Sequence, residues 1–295
     1  MTSEENQGHE TEVEALIRRL IETELRWPFE DTVIEFQENG LTNSNYIVAH
    51  GERRGAIRIS GSHTDQLGIN RYAEEAALRA LDGLSIAPEL LYFDPVRGHM
   101  ITRFVEGRQV EQPELARRAE EVAALFKLYH SLPPVEYEFS PYRDIENRIG
   151  IARSRNLPLP DSLDKLLDKL ASIKTSREQA GERFRGMCHN DPFPNNFLDD
   201  GSLRLLDWEY AGMGDVMFDL ACLAWGYRRE DRDRLLACYF GDEEGPRQRG
   251  ALEDVIYVVQ FWNAMWATLQ IGTSHPTFNY AEMAGQMFGG MEQQL

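Results

Sequence analysis

Val13, Leu16, Ile17, Leu20, Ile21 and Leu25 recur at intervals of three and four, which predicts an amphipathic helix opening the fold. The period then shortens to two, and residues 32–37, 46–50 and 56–60 read as strands, with a Gly-bounded turn at 51–55. Helical spacing returns over about 69–82. Residues 90–93 and 99–104 form a second hairpin pattern around Asp94-Pro95-Val96-Arg97-Gly98. Beyond Gly107 the pattern changes: a long helix is predicted over 114–131, and helices dominate again from Leu163 and from Phe218. Segments 133–141, 156–160 and 241–250 read as loops between helices. A β-rich first third followed by a helical remainder predicts an α+β chain of two lobes, 1–107 and 108–295, and excludes an all-helical interaction module. There is no internal repeat and no low-complexity tract.

Composition narrows the partners. The chain has 295 residues, 42% hydrophobic and 27% charged, ordinary for a globular protein with a sizeable core. A net charge of −18 argues against nucleic acid, whose binding rests on neutralising phosphates, and favours a small cationic molecule. The apolar stretch 255–271 is interrupted by Gln260, Asn263, Thr268 and Gln270, so it reads as a buried helix and no membrane insertion is expected. Residues 1–10 are polar, without the apolar core of a signal peptide. Cys188, Cys222 and Cys238 show no C-x-x-C spacing, which points away from a disulfide framework and towards a reducing, cytoplasmic setting.

Two motifs in the second part carry chemistry. His189-Asn190-Asp191-Pro192-Phe193-Pro194-Asn195-Asn196 matches H-x-D-x-x-x-x-N, and the apolar run Leu203-Arg204-Leu205-Leu206 leads into Asp207-Trp208-Glu209. Phosphoryl transfer needs a carboxylate that orients the acceptor and groups that hold Mg²⁺ on the nucleotide phosphates. Asp191 supplies the first, and Asn196 and Asp207 the second. A strand–loop–strand unit would aim all three at one spot. The first lobe offers the remaining parts. The turn holding Thr42, Asn43, Ser44 and Asn45 would cover phosphates with backbone N–H groups. Arg58, in Gly55-Ala56-Ile57-Arg58, takes the lysine place of the V-A-I-K strand and faces away from Ile57 and Ile59. Glu74 shares a helix face with Ala77, Leu78 and Leu81, so it points inward as the anchoring carboxylate.

These segments resemble the choline/ethanolamine kinase family, bacterial choline kinases above all, within the aminoglycoside-phosphotransferase and protein-kinase-like superfamily. The carrying residues are Gly40-Leu41-Thr42-Asn43-Ser44-Asn45-Tyr46, Ile57-Arg58-Ile59, Ile69-Asn70-Arg71, the stretch 101–107, 188–196, and 206–213 through Phe218-Asp219-Leu220. They span roughly 35–270. The resemblance implies a bilobal protein-kinase-like fold and an enzyme using ATP and Mg²⁺. It implies that Arg58 and Glu74 position phosphate, and that Arg103, Phe104 and Val105 form a hinge touching adenine. Glu209 would lie beside metal and substrate, and Asp219 would brace the catalytic loop.

The implied acceptor is choline or a related amino alcohol. A quaternary ammonium seeks aromatic faces and a carboxylate, and Tyr210, Trp225, Trp262 and Trp266 are available beside Asp191 and Glu209. The family pattern has two tryptophans three apart. With Trp266 as the second, the first position holds Asn263, so a smaller or more polar amino alcohol stays open. The alternatives are a kinase of another hydroxylated metabolite (thiamine, an amino sugar, an aminoglycoside) and a nucleotide-binding pseudokinase. Keeping Asp191, Asn196 and Asp207 together speaks against the last.

Overall fold

The computed structural model describes residues 3–37, 43–61, 64–181, 184–272 and 278–295. Contacts divide the chain into two compact units, Met1–Ser62 with Pro88–Glu106, and His63–Ala87 with Gly107–Leu295.

In the first unit, helix α1 (Ser3–Leu20) runs into a π-helical turn, Ile21–Leu25, which Arg26 closes in the left-handed region at φ 56°. Strands β1 (Val33–Gln37), β2 (Asn43–His50), β3 (Arg53–Ser60), β4 (Leu90–Asp94) and β5 (His99–Arg103) form one antiparallel sheet in the order β1-β2-β3-β5-β4. The apolar stripe predicted for the helix buries Ile17, Leu20 and Ile21, with Trp27, against Val48, Ile57, Ile59 and Ile101. Burying that stripe and the facing strand residues removes apolar surface from water at about 25 cal/mol per Å².

Strands β2 and β3 both begin three residues earlier than hydropathy suggested. Gly51, at φ 60°, makes the hairpin tight, and pairing then continues outward from His50↔Arg53 to Asn43↔Ser60. Backbone groups satisfy one another along the ladder whatever the side chains, so polar Asn43, Ser44 and Asn45 are strand and not turn. Thr42 lies outside the described residues.

The second unit contains a segment that the chain pattern had assigned to the first lobe. Residues 63–87 include α2 (Arg71–Ala80), and their bonds run to the later chain. Leu67 O accepts from Arg148 at 2.6 Å, Ser85 O accepts from Arg204, and Ile86 O accepts from Leu205 N–H at 2.8 Å. Asn70 caps α2 by accepting from Tyr72 and Ala73 N–H, at 3.1 and 3.2 Å.

A short strand β6 (Arg108–Gln109) precedes α3 (Gln112–Arg117) and α4 (Ala119–His130). One continuous helix was predicted there. It breaks at Arg118 (φ −93°, ψ 30°), which ends one helix and begins the next while its guanidinium holds Asp199 at 2.9 Å and Glu121 at 2.7 Å. After α5 (Pro141–Ser154) and α6 (Leu163–Ala180) come β7 (Arg185–Cys188), β8 (Phe197–Asp199), β9 (Leu203–Leu205) and β10 (Gly212–Asp215). Strand β7 pairs with β10, while β8 lies between β6 and β9. The chain ends in α7 (Val216–Ala224), α8 (Arg229–Phe240), α9 (Arg249–Gln270) and α10 (Tyr280–Glu292). Helix α9 is buried on nearly every side and packs on α5, α7 and α10, as its broken apolar run predicted. Among the described residues no helix is long and apolar enough to cross a membrane.

Candidate active site

The loop joining β7 to β8 carries His189–Asn196. Its approach strand lies tight on α4: a Cβ at Gly186 would sit 2.6 Å from the His130 carbonyl oxygen. His189 is fully buried. It accepts from Asp191 N–H at Nδ1 (3.2 Å) and meets the Leu206 carbonyl at Nε2 (2.8 Å), so the proton is assigned to Nε2. Burial pushes its pKa down to about 4, leaving a neutral imidazole that staples the first motif to the second. Asn190 stands in the left-handed region at φ 64° and donates to Tyr210 O at 2.9 Å. Asn and Asp tolerate that conformation better than other side-chain-bearing residues, and it turns the chain so that Asp191 faces the second motif.

Asp219, on the first turn of α7, is the buried post behind this loop. Its Oδ2 accepts from His189 N–H (2.9 Å), the Tyr129 hydroxyl (2.7 Å) and His130 Nε2 (3.0 Å), and its Oδ1 accepts from Asn190 N–H (2.7 Å). Burial alone would raise this carboxyl; the hydrogen bonds from His130 and Tyr129 outweigh it and hold the group below its ordinary value.

In front of the loop the acidic residues gather. Asn196 Nδ2 donates to the Asp191 carbonyl at 2.8 Å and to its Oδ2 at 3.1 Å. Leu206 N–H donates to Asn196 O at 2.8 Å, tying the residue before Asp207 to the end of the loop. Asp207 is itself left-handed, at φ 62°. Burial first, then the charges of Asp207 and Glu209, push the Asp191 carboxyl well above the usual range, against the pull of Asn196. The structure therefore brings Asp191, Asn196, Asp207 and Glu209 together. Their donors are all oxygen, in a group of like charge that runs from buried Asn196 and Glu209 through half-buried Asp191 to exposed Asp207, which suits a hard divalent cation such as Mg²⁺. Asn196 Oδ1 and the carboxylates of Asp207 and Glu209 are the groups able to hold it.

Glu74 is fully buried, as its helix face predicted, and accepts from Arg71 Nη1 at 2.7 Å. The same nitrogen donates to Glu209 Oε2 at 3.2 Å. Sequence reasoning did not single out Arg71 as a site residue, although it lies in the resemblance-bearing Ile69-Asn70-Arg71. Its signal was its place three residues before Glu74, on the same face of α2.

In the first unit, Arg58 is buried between Ile57 and Ile59, so both faces of β3 are covered and strand alternation does not expose it. It donates to Gly98 O at 3.2 Å. Arg103 is exposed and held by Glu89 at 2.5 Å, while Phe104 N–H donates to Arg54 O at 3.3 Å and its ring lies 4.0 Å from the Arg54 guanidinium carbon. Val105, half-buried, follows them.

The aromatic residues do not form one wall. Trp262 is 2% exposed, meets Tyr210 edge-on at 4.8 Å, and donates from Nε1 to Asp144 at 3.3 Å. Its ring already faces a cation, the Arg148 guanidinium carbon 4.1 Å from the centroid, and Arg148 Nη1 donates to the Trp262 carbonyl at 2.8 Å. Trp262 and Tyr210 are thus core, against the expectation of a ligand cage. Nothing in helical spacing separates a core stripe from a pocket wall. Trp266 packs on Tyr280 at 5.9 Å, and Trp225 on Phe193 of the catalytic loop at 6.2 Å; both are half-buried. Asn263 folds back to Val259 O at 2.9 Å.

A sheet-bearing unit, a helical unit, and a loop that presents one half-buried aspartate beside an asparagine and two further carboxylates define a kinase-like α+β protein. The chain belongs to the phosphotransferase enzyme family, whose model matches residues 33–253. It is 27% identical over 194 residues to protein LicA of Haemophilus influenzae, covering 62% of this chain and 55% of that protein, so it matches about half of that relative's length. A crystal structure of choline kinase LicA from Streptococcus pneumoniae superposes with a TM-score of 0.80 at 21% identity, over 96% of this chain and 99% of that one. A choline/ethanolamine kinase family protein from Mesorhizobium loti gives 0.75 at 24% identity, over 95% and 93%. At these identities the two structures establish the shared fold.

Proposed function

We propose that this chain is an ATP- and Mg²⁺-dependent phosphotransferase acting on the hydroxyl of choline or a related amino alcohol. The observation that carries the reading is Asp191: a half-buried carboxyl at the end of the loop, hydrogen-bonded by Asn196 and facing the charges of Asp207 and Glu209. In this reading Asp191 would take the acceptor's hydroxyl proton as that oxygen bonds to the γ-phosphorus of ATP and the bond from that phosphorus to ADP breaks. Bound through Asn196, Asp207 and Glu209, Mg²⁺ would supply charge neutralisation on the phosphates. Asp219 keeps the loop rigid, so Asp191 loses no freedom when the acceptor arrives. In the first unit, Arg58 and the backbone of Asn43, Ser44 and Asn45 are the proposed phosphate contacts, and Arg103, Phe104 and Val105 the proposed adenine contacts.

The choline kinase and the choline/ethanolamine kinase family protein that share this fold support an amino alcohol. Two observations favour a head group smaller or more polar than trimethylammonium: Trp262 spends its face on Arg148, and Asn263 stands where the resemblance puts the first tryptophan of the pair. A screen of ATP consumption over choline, ethanolamine, thiamine, aminoglycosides and neutral sugars tests the reading. Turnover with an amino alcohol well above the rest supports it. A neutral sugar phosphorylated faster than any amine removes the amino-alcohol acceptor and leaves the phosphotransferase.

A further inference from the structure

Three side chains in the second unit are buried and joined through one atom. Arg71 Nη1 lies 2.7 Å from Glu74 Oε2 and 3.2 Å from Glu209 Oε2, and the side chains of Arg71, Glu74 and Glu209 are 8%, 0% and 8% exposed. Glu209 closes the second motif, two residues after Asp207, and its charge is felt at Asp191. Arg71 and Glu74 come from the opening turn of α2, whose start is fixed by the Asn70 cap. A carboxylate as buried as Glu209, whose charge acts on Asp191, is held in place by an opposing charge such as the Arg71 guanidinium. The bond to one of its oxygens sets the carboxylate plane and aims the other oxygen.

We infer that Arg71 is a positioning residue for the phosphotransfer site: through the shared Nη1 it fixes the carboxylate of Glu209, and Glu74 in turn holds Arg71. This rests on the reading of Glu209 as a group beside metal and substrate. Arg71 touches no reacting atom in this scheme and acts only through Glu209. Glu74 thereby gains a second task, that of aligning the arginine that aligns Glu209. A planar guanidinium can serve two carboxylates at once in a fixed fork, whereas a lysine ammonium on a flexible stem holds one geometry poorly.

The test is a double-mutant cycle on the full chain, using Arg71→Gln, Arg71→Lys, Glu209→Gln and Arg71→Gln/Glu209→Gln, each checked for folding by circular dichroism and for melting temperature. The catalytic readout is kcat separated from acceptor KM. The second readout is Mn²⁺ binding without nucleotide turnover, followed by the electron paramagnetic resonance of free Mn²⁺. Arg71→Gln should lower kcat by about tenfold or more and weaken Mn²⁺ binding, and in the double variant both losses should be no larger than for Glu209→Gln alone, since coupled residues are not additive. Arg71→Lys should recover part of kcat. The double variant, which takes the Arg71 charge from one buried carboxylate (Glu74) rather than two, should also melt higher than Arg71→Gln, which keeps the cycle readable if that single variant is poorly folded. Losses that multiply in the double variant would overturn the positioning role, because a merely structural arginine acts independently of Glu209. If Glu209→Gln itself leaves kcat and Mn²⁺ binding unchanged, the reading of Glu209 falls first, and the cycle shows that separately.

Discussion

Asp191 is half-buried and Asp207 exposed, and the two face different partners, a difference that is measurable. Asp191 is bonded by Asn196 and is the proposed base for the acceptor, so Asp191→Ala should abolish turnover while Mg-ATP still binds. Asp207→Ala removes a proposed metal ligand and should weaken Mg-ATP as well. Calorimetry that finds equal losses of Mg-ATP affinity in both variants would contradict the assignment. His189 provides a second test, on stability. Its pKa falls from 6.5 to about 4 on burial, so the unfolded chain takes up the proton first as pH drops. The contribution of the neutral imidazole is complete above about pH 6.5 and is lost as pH falls towards about 4, on the order of 3 kcal/mol in all. Denaturant titrations at several pH values should show this slope in the native chain and its loss in His189→Gln. A variant that keeps the native slope would show that His189 is not its source.

Helices and strands decide which aromatic residues belong to the core. On α9, Trp262 lies against Tyr210, Phe218 and Arg148, whereas Trp266 meets Tyr280. Trp262→Ala should therefore cost stability, about 3–5 kcal/mol as for other large-to-small core changes. Trp266→Ala or Trp225→Ala should leave the melting temperature closer to native and raise the acceptor KM by about thirtyfold, the value of one ring on a desolvated ammonium. An unchanged acceptor KM in both variants would remove these rings from the acceptor site. Strand β7 offers a sharper local test. Gly186 lies against the His130 backbone, and a methyl there must displace the carbonyl rather than a flexible side chain. Gly186→Ala should cost about 1–3 kcal/mol by overpacking. Because His130 bonds Asp219, which carries the loop, kcat should fall as well. A loss of stability with kcat untouched would show that the loop does not feel α4.

Across the whole chain, the net charge of −18 makes a prediction about its acceptor. A cationic substrate is drawn in by negative potential that salt screens over a Debye length of about 8 Å at physiological ionic strength. Raising NaCl should therefore increase the KM of choline or ethanolamine, while a neutral sugar alcohol used as a poor acceptor should show little change. A salt-independent KM for the cationic acceptor would confine the role of the acidity to solubility. The division of labour between the units is also chemical. The sheet unit carries the buried Arg58, and the helical unit carries the carboxylates and the triad at Arg71.

Local rules governed much of what the chain displays. The α1 stripe, the hairpins, the buried α9 and the inward Glu74 all follow from periods of two and 3.6 residues, because each element must turn its apolar side to a core. The loop motif was legible because its residues lie within a few positions of one another, and the left-handed turns at Asn190 and Asp207 suit the residue types found there. Long-range packing decided the rest. It drew residues 63–87 to the second unit through backbone bonds to Arg148, Arg204 and Leu205, which no local pattern encodes. It gave the face of Trp262 to Arg148, 114 positions earlier in the chain. It also joined Arg71 to Glu209 across 138 positions. Periodicity tells a side chain which way to point; what it meets there depends on elements far away in the chain, and only the folded packing brings them into contact.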